Sequence, residues 1–278
     1  MLSSSNLSPV EGRPVSAAVV GLGVIVAVIA AIRSIWSPCG LSMLSTITPV
    51  AEAGRGHSFR STSTWFVIGS VAGGLTLGAL MAGIAMLVAG LGTTPGQALW
   101  IVALASLLAA TSDGRLAGFH IPGHDRQVNE RWLDRYRSWV YGAGFGWQIG
   151  VGLATYIMTS ALYLLILIGG LTAEPVVAIA LGALFGLVRG LAVYLAIGLD
   201  STERLLSFHS KFESRREPVR RSTIVIMAAV SVAAVAAAGA TATVLGVVVG
   251  LATWIVMLSR RGPHEAVYLN AANAQPVN

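Results

Sequence analysis

The sequence predicts an all-α polytopic membrane protein, and three observations support that prediction. Of the 278 residues, 55% are hydrophobic and only 11% are charged, whereas a soluble domain carries about 25% charged residues. The mean hydropathy is +0.74, and the apolar residues are gathered into runs near the roughly 20 residues that a membrane-spanning helix needs. Glycine is abundant, with 32 residues, as is usual in membrane helices.

The apolar runs predict six core transmembrane helices. They cover residues 15–50, 64–90, 97–112, 140–170, 176–199 and 223–258. The uncharged part of the last run, 224–258, would form a helix of about 52 Å, against a bilayer core of about 30 Å. The sequence leaves open whether one helix overshoots the membrane there or a seventh span follows at about 242–258.

Basic residues fall in alternate loops, and this pattern orients the helices. The segment just before residue 64, with Arg55 and Arg60, the 113–139 loop and the 200–222 loop together carry thirteen lysines and arginines, and the 91–97 and 170–175 turns carry none. Basic loops stay in the cytoplasm. The sequence therefore predicts a multi-pass protein of the bacterial plasma (inner) membrane with its N-terminus outside.

The predicted organisation is a 3+3 inverted repeat with broken first and fourth helices. Its parts are an extracytoplasmic tail (1–14), a first three-helix half (15–112), a cytoplasmic loop with an amphipathic helix (113–139), a second half that includes the cytoplasmic loop 200–222 (140–258), and a C-terminal tail (259–278). Three spans, a charged loop and three more spans place the halves in opposite orientation, as in inverted-repeat transporters. Gly69 and Gly73 are echoed by Gly182 and Gly186, and small residues four apart let helices approach closely.

The stretch Ser37-Pro38-Cys39-Gly40 interrupts the first span. Ser37 is typical of a helix N-cap and Pro38 of the first helical residue. Such a break at membrane depth is tolerated only where it lines a protein-enclosed cavity. Cys39, with Arg33 shortly before it, indicates a reactive thiolate or an anion-binding niche. The alternative is a small buried cysteine at a helix kink.

Gly144 and Gly146 predict a second break, in the fourth span, beside Gln148. Gln148 either binds a solute or satisfies freed backbone groups. Arg189 lies mid-span, where an arginine costs at least about 2.5 kcal/mol, and no Asp or Glu is predicted at that depth. Its partner is therefore a backbone carbonyl group at a break or an anionic solute. The predicted substrate-binding residues are the polar and basic side chains of these segments: Arg33, Ser37, Cys39, Gln148 and Arg189.

The sequence predicts no metal site and no cofactor. A single cysteine excludes an internal disulfide and a multi-cysteine metal site. His120 and His124 have metal-like spacing, but Pro122 and Gly123 lie between them and favour a loop. No nucleophile–base set, phosphate loop or pair of carboxylates occurs at membrane depth. This favours a protein that is not an enzyme, but the sequence alone does not decide whether it has catalytic activity.

The expected partners are membrane lipids and a small solute. The formal net charge is +6, but the basic residues lie in short loops mixed with acidic ones. This pattern is typical of topology signals and lipid headgroup contacts, so nucleic acid is not an expected partner.

A six-span chain with an outside N-terminus and Ser37-Pro38-Cys39 in its first span resembles the CcdA/DsbD membrane family, within the superfamily of LysE-type exporters. The resemblance covers about residues 15–240. It implies a scaffold that carries reducing equivalents from cytoplasmic thioredoxin to the outer face through one cysteine in each half. Cys39 matches the first redox cysteine, whereas the second half has Trp147-Gln148 and no cysteine. A thiol relay needs a resolving partner, so this chain cannot close the intramolecular disulfide that the resemblance implies.

Three functions follow as hypotheses. The first is a transporter on this scaffold that moves a small solute, anionic or sulfur-containing, through a midplane site. The second is a one-cysteine thiol–disulfide component of the cytochrome c biogenesis type, with Cys39 as the catalytic residue and a thioredoxin-like protein as the partner. The third is a non-catalytic membrane assembly partner. The transporter is the preferred hypothesis.

Overall fold

The computed structural model describes residues 16–116, 121 and 137–239, and the regular structure in these residues is helical throughout, as predicted. A short 3₁₀ helix covers Ala192–Ala196. The α-helices are α1 (Ala17–Ser34), α2 (Pro38–Thr46), α3 (Pro49–Gly54), α4 (Phe59–Leu91), α5 (Pro95–Gly114), α6 (Ser138–Val151), α7 (Ala161–Leu171), α8 (Pro175–Leu191), α9 (Thr202–Ser214) and α10 (Arg216–Ala237).

Five helical stretches of the described residues are long and apolar enough to cross a membrane. They are Ala17–Ser34, Phe59–Leu91, Pro95–Gly114, Pro175–Ala196 and Thr202–Ala237. α7 is a shorter apolar helix. The chain is a multi-pass membrane protein. α4, with 33 residues, is about 50 Å long, so it extends well beyond a hydrocarbon core of about 30 Å.

Several predicted features lie outside the described residues. They are the 1–14 tail, the first part of the predicted amphipathic helix in the 113–139 loop, His120 and His124, the seventh span at about 242–258, and the 259–278 tail. α10 ends at Ala237, and Gly239 follows with φ +80°. The 224–258 run is therefore not one continuous helix.

Proline fixes the start of four helices, α2, α3, α5 and α8. Its φ suits the first helical turn, and the amide that it lacks has no helical partner at that position. At α2, α3 and α5 the preceding Ser37, Thr48 or Thr94 side chain accepts a hydrogen bond from the third helical amide. The prediction that Ser37 caps a helix beginning at Pro38 is confirmed.

α4 is the central helix of the bundle. It packs against α6 and α8 along much of its length, and α5 packs against α10. Gly142 lies beside Thr62, and Gly150 lies beside Ser70, so α6 runs parallel to α4. By the same comparison α8 runs antiparallel to α4, because Ile179 lies beside Gly78 and Gly190 beside Ser70. The α4–α8 and α5–α10 pairs join corresponding helices of the two halves, which is the pairing expected of an inverted repeat.

The buried apolar side chains form two clusters. The larger cluster draws on α1, α4, α5, α7, α8 and α10, and the smaller one on α2, α4, α6, α9 and the 3₁₀ helix. Three helices and the α6–α7 segment pass from one cluster to the other. The passages lie between Ala31 and Ile35, Phe66 and Leu77, Ile149 and Ile157, and Phe185 and Ala192.

Candidate functional site

Buried polar side chains occupy the four passages between the two apolar clusters. We call these residues the polar layer: Arg33, Ser34, Ser70, Thr155 and Arg189, each exposed by 6% or less. A buried polar group is costly unless it forms hydrogen bonds. At the depth of the polar layer, between the two apolar clusters, specific polar contacts therefore replace apolar packing.

Arg189 binds the break that follows α6. Its Nη1 donates to the Ile149 carbonyl oxygen at 2.7 Å and its Nη2 donates to Thr155 Oγ1 at 3.3 Å. The guanidinium carbon lies 5.8 Å from the centre of the Phe185 ring, within cation–π range. Ile149 belongs to the last turn of α6, and its carbonyl oxygen also accepts from the Gly152 amide at 3.1 Å. Carbonyl groups at a helix C-terminus attract cations. A backbone carbonyl at a break is thus one of the two partners predicted for Arg189.

The second break lies further along the chain than predicted. α6 runs without interruption through Gly144 and Gly146 and ends at Val151. Gly152 then adopts φ +72°, and a non-helical stretch leads to α7. Gly146 serves close packing instead, because a Cβ there would lie 2.1 Å from the Phe66 carbonyl oxygen. The placement of the break at Gly144 and Gly146 was wrong.

The first break lies at the predicted residues. The Gly40 amide donates to Ser37 Oγ at 3.2 Å, so this hydroxyl caps α2. A Cβ on Gly40 would lie 2.1 Å from the Ile35 carbonyl oxygen, which restricts the position to glycine. Cys39 is 2% exposed and lies within electrostatic range of Arg189. The fold thus places Cys39, at the first break, within electrostatic range of Arg189, which binds the second break.

Two of the predicted site residues have other surroundings. Arg33 is buried, and its electrostatic neighbours are residues at the end of α5 and the start of α10: Asp113, Arg216, Glu217 and Arg220. Gln148 is half-buried on α6. Arg33 and Gln148 are not among the electrostatic neighbours described for Arg189, whereas Cys39 is.

Asp113, in the last turn of α5, holds the start of α7. Its Oδ2 accepts from Thr159 Oγ1 at 2.5 Å and its Oδ1 accepts from the Ser160 amide at 2.8 Å. Ser160 Oγ also donates to Ser112 Oγ at 2.8 Å, and Arg220 Nη1 donates to the Asp113 carbonyl oxygen at 2.9 Å. A carboxylate at a helix start is stabilised by the helix dipole. This aspartate therefore ties α5, α7 and α10 together.

Sequence reasoning missed Glu52, whose side chain is fully buried. One carboxylate oxygen, Oε2, accepts from Tyr141 Oη and from Thr62 Oγ1, each at 2.5 Å. The other, Oε1, accepts from Arg55 Nη1 at 3.0 Å. Glu52 thereby connects α3 to α4 and α6, and we call these four residues the Glu52 network.

A sequence signal for this network existed. Thr48-Pro49 repeats the pattern of Ser37-Pro38, which predicts a second short helix after the first break. Glu52 follows in that helix among apolar residues. The depth of Glu52 depends on how α3 folds back against α4, which the pattern alone does not give.

The chemistry of these groups is that of hydrogen-bonded helix ends. Among the described residues, no group of three or more His, Cys, Asp or Glu side chains is placed to hold a metal ion. Arg189, Asp113 and Glu52 each hold backbone or side-chain groups of neighbouring helices.

The chain is similar to proteins named methylamine utilization protein MauF. It is 33% identical over 173 residues to the MauF of Paracoccus denitrificans, which covers 60% of each chain. The MauF of Methylophilus methylotrophus is 31% identical over 183 residues, covering 64% of this chain and 63% of the relative. The MauF of Paracoccus versutus is 32% identical over 167 residues, covering 58% and 59%. The matched part thus spans about 60% of the length of these relatives.

No family profile matches the chain, and no solved structure matches it.

The relatives overturn two predictions. The resemblance to the CcdA/DsbD family was wrong, because the relatives are named for methylamine utilization. The transporter and the cytochrome c biogenesis-type redox component were wrong on the same finding, which does not clearly favour the assembly role either. The physical reason lies in the motif. Ser37-Pro38 is a helix start, and helix starts of this kind recur within this chain at Thr48-Pro49 and Thr94-Pro95.

Arg189→Lys is expected to lower the free energy of unfolding by about 1–2 kcal/mol. One ammonium group cannot reproduce the planar fork that reaches Ile149 and Thr155 together, and hydrogen bonds to charged groups are worth about 1.5–3 kcal/mol. The measurement is thermal unfolding of the purified protein in detergent. The matched control is Arg204→Lys, because Arg204 is 63% exposed in its ion pair with Asp200. Equal unfolding temperatures for the two variants would contradict the role described for Arg189.

Proposed function

We propose that this chain is a membrane-embedded accessory protein of methylamine utilization. The observation that carries the proposal is the identity of 31–33% to three proteins named MauF over 167–183 residues. The all-helical fold with its membrane-spanning helices fits a protein that works from within the membrane. The match covers about 60% of each relative, so that this chain shares the relatives' full activity is itself part of the proposal.

The polar layer supports an organising role in this proposal. Arg189 donates hydrogen bonds to the end of α6 and to Thr155 in the stretch that follows it. Ser70 Oγ donates to the Gly186 carbonyl oxygen at 2.7 Å. The Arg189 contacts hold the break after α6, and the Ser70 contact holds α4 against α8. We propose that Cys39 and Arg189 serve the function by holding the two breaks in position.

We also propose that the protein lies in the bacterial plasma membrane with its N-terminus outside, and that membrane lipids are its surrounding partners. The basic loops flank the ends that α1, α5 and α10 share, since Arg33 lies in electrostatic range of both Asp113 and Arg220. Apolar side chains such as Leu87, exposed by 71%, and Leu91, exposed by 78%, suit contact with acyl chains.

Reporter fusions are expected to show this orientation. Alkaline phosphatase fused within residues 92–94 should be active, because that turn lacks basic residues and lies outside the cytoplasm. The same enzyme fused within residues 200–222 should be inactive, and green fluorescent protein should give the reverse pattern. Phosphatase activity and fluorescence in whole cells are the measurements. An active phosphatase in the 200–222 loop would reverse the proposed orientation.

Growth on methylamine tests the function. The gene is deleted in the bacterium that carries it, and growth is followed with methylamine as the only source of carbon or nitrogen. We expect growth to be lost, and to return when the chain is supplied from a plasmid. Growth on an amine-free carbon source with ammonium should be unchanged. Unimpaired growth of the deletion strain on methylamine would overturn the proposal.

A second arm places this chain in a Paracoccus denitrificans strain that lacks its MauF. Restored growth on methylamine would support a shared role. The Arg204→Lys variant should restore growth as the unchanged chain does. The Arg189→Lys variant should restore it less well, because it weakens the hold on the α6 break.

A further inference from the structure

Arg33 is a buried cation, and part of its hydrogen-bonding capacity is not used. The residue is 4% exposed, and its Nε and Nη1 atoms have no hydrogen-bond partner in the structure described. Guanidinium groups carry five donors in a fixed planar arrangement, and leaving buried charged donors unpaired is costly. The position therefore calls for an acceptor that the described residues do not supply.

Asp113, an acidic neighbour of Arg33, does not supply the missing hydrogen-bond acceptor. Both carboxylate oxygens of Asp113 already accept hydrogen bonds, from Thr159 Oγ1 and the Ser160 amide. Its negative charge acts on Arg33 from within electrostatic range. The donors of Arg33 that lack partners nevertheless remain without a directed hydrogen bond.

The other neighbours lie at the start of α10, and their carboxylates are also engaged. The ion pairs there join arginines to glutamates of α9 and α10 at 2.8–2.9 Å: Arg216–Glu213, Arg220–Glu217 and Arg221–Glu217. Arg33, Asp113 and the residues of these three ion pairs together carry four positive and three negative charges. These described groups are therefore net positive, so an anion suits the position better than water.

We propose that Arg33 binds the phosphate group of an anionic ligand at the end of the bundle formed by α1, α5 and α10. The planar fork of arginine matches the spacing of phosphate oxygens. Arg33 lies in the last turn of α1, beside Asp113 and the arginines that begin α10, so a ligand would approach it from this end of the bundle.

Phosphate of two sources has this chemistry, an anionic lipid headgroup and inorganic phosphate. The arginine-rich start of α10 leads directly into its apolar part. Basic residues at such a junction attract anionic lipid headgroups, and inorganic phosphate can reach the same depth from water. The inference stands apart from the proposed function, because it rests on Arg33 and its surroundings alone.

The test measures the unfolding temperature of the purified full chain against two probes. In the first arm, phosphatidylglycerol is added to phosphatidylcholine nanodiscs. In the second arm, sodium phosphate replaces sodium chloride in detergent at equal ionic strength. We expect the probe that binds to raise the unfolding temperature, and Arg33→Gln to weaken its apparent affinity at least about tenfold. The control Arg204→Gln alters an exposed ion pair and should keep the full shift.

The outcomes either identify the source of the phosphate group or overturn the proposal. A shift with phosphatidylglycerol alone assigns the site to a lipid headgroup, and a shift with inorganic phosphate assigns it to the free anion. No shift with either probe, or an equal shift in Arg33→Gln, overturns the proposal. If Arg33→Gln does not fold, Arg33→Lys takes its place. It keeps the charge but lacks the fork, so an unchanged affinity in that variant also overturns the proposal.

Discussion

Gly74→Ala is expected to lower the free energy of unfolding by about 3 kcal/mol or more, at or above the upper end of the usual cost of overpacking. A Cβ at this position would lie 2.3 Å from the Gly182 carbonyl oxygen and 2.9 Å from the Gly186 Cα atom. Both contacts are with backbone, so no side chain can rotate away. The helices α4 and α8 would have to separate along the whole crossing.

The control for this prediction lies in the same helix. Gly83 has nothing within 4 Å of an added Cβ, so Gly83→Ala should leave the protein unchanged or slightly more stable, since glycine inside a helix costs roughly 0.5–1 kcal/mol relative to alanine. Both variants are unfolded thermally in the same detergent, and the fraction of protein recovered folded from the membrane is compared. Similar behaviour of the two variants would show that the α4–α8 contact is not as close as described.

Glu52→Ala is expected to cost about 3–5 kcal/mol of stability, the range for breaking a buried charge network by removing one member. Tyr141 Oη and Thr62 Oγ1 would lose the acceptor that they share, and a cavity would remain where the carboxylate was. Arg55→Ala should cost less, because Arg55 is 26% exposed and the Tyr141 and Thr62 hydroxyls still donate to the carboxylate. The cost stays above that of a surface ion pair, because the buried Glu52 charge loses its cation.

A double-mutant cycle separates the network from simple truncation. Glu52→Gln and Tyr141→Phe are made singly and together, and the three unfolding free energies are compared with that of the unchanged protein. Residues in direct hydrogen-bonded contact couple by about 0.5–3 kcal/mol. Strict additivity of the two changes would refute the description of Glu52 and Tyr141 as one network.

The parts of the fold that could be predicted are those with a local physical signature. Apolar runs and alternating basic loops indicated the helices, and Ser37-Pro38 indicated the start of α2. Arg189 was recognisable because a cation in the middle of an apolar span needs a partner, and the structure shows it bound to a helix end.

The parts that could not be predicted depend on tertiary contact. Glycine serves equally for a helix break and for close packing, so Gly146 was given the first role and has the second, while Gly152 ends α6. Glu52 looks like an ordinary loop acid in the sequence, and only the return of α3 against α4 and α6 buries it. The family resemblance failed because it depended on a three-residue motif that any proline-started helix could supply.

The glycine contacts of α4 also limit how this protein can move. Gly69 and Gly73 meet the backbone of α6, and Gly74 and Gly78 meet the backbone of α8, without side chains in between. Helices whose backbones are in direct contact cannot slide or rotate past one another unless they first separate. We therefore expect α4, α6 and α8 to travel as a single rigid body, with any hinge or shear displacement taken up between that body and the α5–α10 pair.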